Sequence, residues 1–175
     1  MIKSLILLLA VASLSLAQDA ASAVRAAREL TGAVKTGDMT WMAEKMYPQL
    51  KATLATSVGG IEQLKAQFRK AGEMMKKEGF VCESFDTFEA FGEYNVKNKT
   101  EKIVIIPTRM VCSIQQGQQK MKMEQKGFLY AVAKKSAPET WYFIQGSTSL
   151  NSLRDLFYDL PANIPLPEVS RKALP

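Results

Sequence analysis

The chain reads as an α+β protein, with N-terminal helices packed on a curved antiparallel four-stranded meander to form a cone-like body. Three observations predict this. Apolar residues recur at three- and four-residue spacing as far as about residue 78. From Phe80 to about Ser147 the period falls to two, and the turns in that second stretch are short enough to join neighbouring strands. Nearly half of the 175 residues, 47%, are apolar, and no segment is of low complexity, so one folded domain with one core is expected.

In the first helix Asp19 acts as the cap, Ala20, Ala23, Val24, Ala27, Leu30 and Val34 lie inward, and Gly37 is the stop. Asp38 caps a second helix bearing Trp41, Met42, Met46, Leu50 and Leu54, which Tyr47-Pro48 kinks or splits, because proline lacks the N–H donor. After Gly59-Gly60 a third helix runs from about Ile61 to Glu78, with Ile61, Leu64, Phe68, Ala71 and Met75 inward and Gly79 just beyond its end. Four strands follow, at about residues 80–94, 101–114, 119–134 and 139–146, with turns at Asn95–Lys99, Gln116-Gly117 and Lys135–Pro138. Ser149 or Asn151 caps a short helix containing Leu150, Leu153, Leu156 and Phe157. The domain is taken as residues 18–158. In residues 159–175, Pro161, Pro165 and Pro167 alternate with Leu160, Ile164 and Leu166 and predict an extended strap laid on the body.

Residues 1–17 read as a secretory signal peptide. Lys3 supplies the positive start, the apolar stretch from Leu5 to Leu16 falls short of the roughly 20 residues of a membrane span, and Ser15-Leu16-Ala17 puts small residues at the cleavage point. The expected location is periplasmic or secreted. No stable membrane anchor is expected after cleavage.

Composition excludes several chemistries. The chain has no histidine, which removes Ser-His-Asp and Cys-His catalysis and imidazole zinc sites, and its two cysteines cannot build a four-thiolate site. No metal or other cofactor is expected. The net charge of +6 is scattered over Lys65, Lys70, Lys76, Lys97, Lys120, Lys134 and others, as on an ordinary solvated surface. In an exported protein it favours an anionic lipid or glycan over nucleic acid. Asn98-Lys99-Thr100 matches a glycosylation acceptor and is treated as coincidence.

A first hairpin turning at Lys97 sets Cys82 opposite Cys112. Opposed residues lie about 4.5 to 5.5 Å apart at Cβ, so an oxidising compartment favours a Cys82–Cys112 disulfide, with two free thiols as the alternative. Turning the second hairpin between Gln116 and Gly117 sets Met121 beside Cys112, Met123 beside Met110 and Leu129 beside Val104. The third turn sets Ala131 against Phe143 and Ala133 against Trp141. Together these define a single apolar face for the helices to cover.

One polar row crosses that face: Asp86, Thr108 and Gln125 on successive strands, with Ser84 two residues along. Burying such groups unsatisfied costs about 1 to 3 kcal/mol each, so the row predicts a solvated cavity walled by Trp41, Tyr47 and Trp141. Asp86 is then a weak catalytic candidate, and Thr108 and Gln125 orient a ligand. Pro107 is the competing signal. Proline inside a strand marks an edge or a bulge, and one inserted residue turns such a row to the other side. On that other side Arg109 would pair with Glu124, among Phe85, Phe91, Val111, Phe128, Tyr130, Val132, Tyr142 and Ile144. So apolar a surface predicts a homodimer packed through the outer sheet face.

The order of parts resembles the nuclear transport factor 2-like superfamily, also called cystatin-like or SnoaL-like. Thr36-Gly37-Asp38, Tyr47-Pro48, Gly59-Gly60 and Trp141-Tyr142-Phe143-Ile144 carry the resemblance, over about residues 20–147. It implies helices coned against a curved sheet, and a cavity that serves isomerases, dehydratases and cyclases in some members and only binding or dimerisation in others. Exported bacterial members often carry an aspartate where this chain has Gln145. The family's pairing of a carboxylate base with a tyrosine donor has no residue-by-residue match here.

The first expectation is a noncatalytic exported domain that binds a small apolar or amphipathic ligand, or a protein partner. A cofactor-free lyase or isomerase using Asp86 is the alternative, and a structural subunit of an envelope assembly is a third.

Overall fold

A computed structural model describes residues 19–116 and 119–175. The leader expected over residues 1–17 lies outside the described residues. Asp19 begins α1 (Ala20–Lys35) as its position requires, its side chain accepting a hydrogen bond from the Ser22 amide at 2.6 Å. Gly37, at φ 80°, turns the chain out of that helix in a conformation that side-chain-bearing residues resist. Pro48 splits the next helical segment. After α2 (Thr40–Lys45) the chain touches the sheet at Met46 and Tyr47, and the Tyr47 amide donates to the Phe143 carbonyl at 3.1 Å. Pro48 then occupies the first turn of α3 (Pro48–Val58), where its missing N–H costs nothing. Gly59 and Gly60 lead into α4 (Ile61–Lys77).

Two long strands form the spine of the sheet. β3 (Glu101–Gln116) and β4 (Gln119–Lys134) pair antiparallel along their whole length. Each carries two short strands on its free edge. β1 (Val81–Thr87) and β2 (Gly92–Val96) both pair with β3, while β5 (Ala137–Gln145) and β6 (Ser170–Leu174) both pair with β4. Between β5 and β6 lies α5 (Leu150–Leu156). The six strands curl into a half-barrel with helices against it, which is the expected α+β class.

The strand expected over residues 80–94 is two strands, β1 and β2, broken at residues 88–91, and β6 was not foreseen. Register differs in two instructive ways. Cys82 does lie opposite Cys112, but a bulge between Cys82 and Ser84 inserts Glu83, and beyond it Phe85 pairs with Met110, Asp86 with Arg109 and Thr87 with Thr108. One extra residue therefore exchanges the faces for the rest of β1. In the second hairpin Gln116 pairs with Gln119, two residues from the expected register, so that Cys112 faces Met123, Met110 faces Gln125 and Val104 faces Ala131. A slip of two leaves every side chain on its own face. The expected partners Ala131–Phe143 and Ala133–Trp141 are present.

The sheet is covered on both sides. Ala23, Val24, Ala27 and Leu30 of α1 pack on Val104, Ile106, Ala131, Ala133, Trp141 and Phe143, and the alanines leave room for the large rings. On the outer side Ile103, Ile105, Phe128, Tyr130, Val132 and Ile144 are buried beneath Leu153, Phe157, Leu160 and Ile164. The apolar surface expected to meet a second subunit is thus occupied by α5 and the proline strap of the same chain. Phe85, expected on that surface, lies instead on the helix side, and Phe91 is 48% exposed.

Candidate functional site

Between the helices and the lower half of the sheet are two adjoining clefts of about 370 and 350 Å³. The larger lies under α1 residues Leu30, Thr31 and Val34. Met39, Met42, Met75 and Phe80 wall it, and Phe85, Thr108, Met110, Gln125 and Leu129 form its floor. The smaller is lined by Met46, Leu50, Leu54 and Phe68, with Lys45, Thr53 and Thr148 as polar members. Leu30, Met42, Leu129 and Gln145 border both, so the two spaces adjoin.

Local features of the chain hold this space in shape. Gly72 lets α4 pass close to the α1–α2 turn, since a Cβ there would stand 2.9 Å from the Gly37 carbonyl oxygen, and Met75 then reaches the cleft. Gly146 donates its amide to the Phe128 carbonyl at 3.0 Å, and any Cβ at 146 would collide with that oxygen. Methionine suits such walls, because its unbranched thioether side chain adapts to irregular apolar shapes.

The seven sequence-predicted ligand residues divide. Thr108 and Gln125 line the larger cleft, two residues out of direct opposition but on one face. The Gln125 side-chain oxygen accepts from Arg171 of β6 at 3.2 Å. Asp86 is exposed and lies opposite Arg109 in the strand register, and Ser84 shares the turned segment, because the Glu83 bulge moves both off the cleft face. Trp141 is a core residue whose indole donates to the Ser22 hydroxyl at 3.1 Å. Trp41 packs at the edge of the same core, outside the cleft lining. Tyr47 belongs to the core on the opposite side of the sheet.

Among the described residues that line the clefts there is no Asp or Glu, and Lys45 is the one charged group. Its ammonium lies 5.2 Å from the centre of the Trp41 ring, a cation–π placement. The space is therefore suited to holding an apolar body and offers no carboxylate for acid–base chemistry. Sequence reasoning missed Thr31, Met39, Phe85, Met110, Gln145 and Lys45 as site residues. Of these, Met110 had a signal, since it lies two residues from Thr108 on the same strand and so on the same face.

The two cysteines stand opposite one another as free thiols, Cys112 buried and Cys82 partly so; the expected bond between them is not formed. Burial foremost pushes both thiol pKa values up. On the outer side the Arg109–Glu124 pair is present at 2.5 Å, with Lys172 adding a 3.1 Å contact, and the Arg109 bond foremost holds the Glu124 carboxyl below its ordinary value.

Among the described residues no cluster of His, Cys, Asp and Glu is placed to hold a metal ion, and no helix is long and apolar enough to cross a membrane. No protein family matches this chain, and neither a characterised protein nor a solved structure matches it.

Proposed function

We propose that this protein is a noncatalytic binding domain that takes a small apolar or amphipathic ligand into the cleft between its helices and sheet. The observation that carries the reading is the cleft itself, two adjoining spaces of about 370 and 350 Å³ with mostly apolar walls and a few polar groups. Sites for small molecules are typically of roughly 300–1,000 Å³ and built in this way. The exposed position of Asp86 and the lack of a carboxylate among the described lining residues favour binding over the lyase or isomerase alternative. Burial of the outer apolar face under the chain's own strap favours it over the assembly reading.

Membership of the nuclear transport factor 2-like superfamily is part of the same proposal, supported by helices that precede and pack against a curled antiparallel sheet. Export to the periplasm or the medium is likewise proposed, on the residues of the leader alone.

The test is titration with the neutral fluorophore N-phenyl-1-naphthylamine. Saturable enhancement is expected, and it should be lost in Met110→Trp and in Met75→Trp, which fill the larger cleft from the floor and from the rim. If the probe stays dark with the native protein, or the folded variants enhance it equally, the cleft is not a binding site.

A further inference from the structure

We infer that the ligand of this cleft is a single-chain anionic amphiphile, its chain lying along the two joined spaces and its acidic head held by Lys45. The inference rests on the binding reading above and adds the chemical class of ligand. Three observations support it. First, the two spaces adjoin across Leu30, Met42, Leu129 and Gln145, so a flexible chain can occupy both where a compact ring system fills one.

Second, the larger cleft has no ionisable lining group among the described residues and the smaller has Lys45 alone, while Lys35 and Lys76 border a separate hollow of about 130 Å³ beside the larger cleft. Within these two clefts an acidic head is favoured beside Lys45, and an apolar chain along the rest of the lining. Third, Lys45 is available to a ligand. It is half-buried, and among the described residues its ammonium has no carboxylate partner, only the face of Trp41 at 5.2 Å. A cation held on an aromatic ring beside an apolar cleft is placed to take a carboxylate while its stem stays on the apolar wall. Trp41 thereby becomes a reporter, since a head group drawn to Lys45 alters the charge over its ring.

The experiment compares dodecanoate, 1-dodecanol and dodecyltrimethylammonium by calorimetric titration and tryptophan fluorescence. The native protein should bind dodecanoate roughly tenfold or more tightly than the alcohol, as a charge-assisted hydrogen bond contributes, and bind the cationic chain most weakly. Lys45→Gln, which keeps most of the stem, and Lys45→Ala should both erase the preference for the carboxylate over the alcohol. Arg171→Ala, beside Gln125 of the larger cleft, should keep the preference. Equal binding of acid and alcohol, or a preference that survives loss of Lys45 or vanishes with loss of Arg171, overturns the head-group assignment while the cleft stands as an apolar site. Binding of none of the three chains overturns both.

Discussion

The Tyr47 hydroxyl donates to the buried Glu101 carboxylate at 2.8 Å, joining residues 54 positions apart. Lys97 completes the group, donating to the same tyrosine oxygen at 2.6 Å and lying 3.6 Å from the other carboxylate oxygen. Tyr47 and Glu101 are 2% and 5% exposed, so each satisfies a polar atom the other would leave stranded. Burial foremost, then the Glu101 hydrogen bond, drives the tyrosine pKa upward. This tyrosine is a clamp between the α2–α3 junction and the sheet. Tyr47→Phe should lower stability by about 1–3 kcal/mol in urea unfolding and leave dodecanoate binding intact.

The β2–β3 turn predicts an acid-sensitive latch. Lys97, Asn98 and Lys99 all have positive φ, at 51°, 54° and 63°, each a costly conformation of roughly 1–2 kcal/mol. The Asp159 carboxylate offsets that cost by accepting from the Asn98 and Lys97 amides at 2.7 and 2.6 Å, and the Asn98 amide bond foremost lowers its pKa below the ordinary 3.8. A depressed carboxyl pKa stabilises the fold above the unfolded value and ceases to do so as pH falls through the folded one. Melting temperature should therefore drop as pH falls below about 4, and Asp159→Asn should lower it at pH 7 and flatten that acid limb.

Removal of β6 should expose a sticky edge. Residues 170–174 cover the β4 backbone from Lys122 to Lys126, and an uncovered strand edge offers its amides and carbonyls to other chains. A chain stopped after Val169 should self-associate in light scattering where the full chain does not.

The paired thiols predict a redox response. Burial raises both pKa values, so alkylation by iodoacetamide at pH 7 should be slow and should accelerate as pH rises toward 10. Their direct opposition predicts that a mild oxidant closes a Cys82–Cys112 bond, raising stability by about 2–4 kcal/mol, an increase absent in Cys82→Ser.

Gly146 tests how tightly the cleft border is packed. Gly146→Ala forces a methyl group onto the Phe128 carbonyl and should cost about 1–3 kcal/mol while weakening binding of the neutral fluorophore.

Periodicity alone was enough to place the helices, the split at Pro48 and the change to strands at Phe80, because local rules govern them. The same holds for the alanines opposite Phe143 and Trp141, which the third turn sets in register. Asp86 shows where that reasoning stops. Its face depends on one bulged residue, Glu83, and Pro107 on the neighbouring strand signalled a bulge without fixing where it falls. Thr108 and Gln125 kept their face because the second hairpin slipped by two, an even number.

The amino-acid sequence by itself determined which segments are helical, which are extended, and which chemistries a chain without histidine forgoes, since these follow from spacing and composition. Tertiary structure decided the rest. Only the folded chain shows Leu153, Phe157, Leu160 and Ile164 closing over the outer face, and only it brings Lys45 to the same cleft as Leu129. Those contacts join residues far apart in the chain and are selected by how well whole surfaces fit, a quantity that no local pattern encodes.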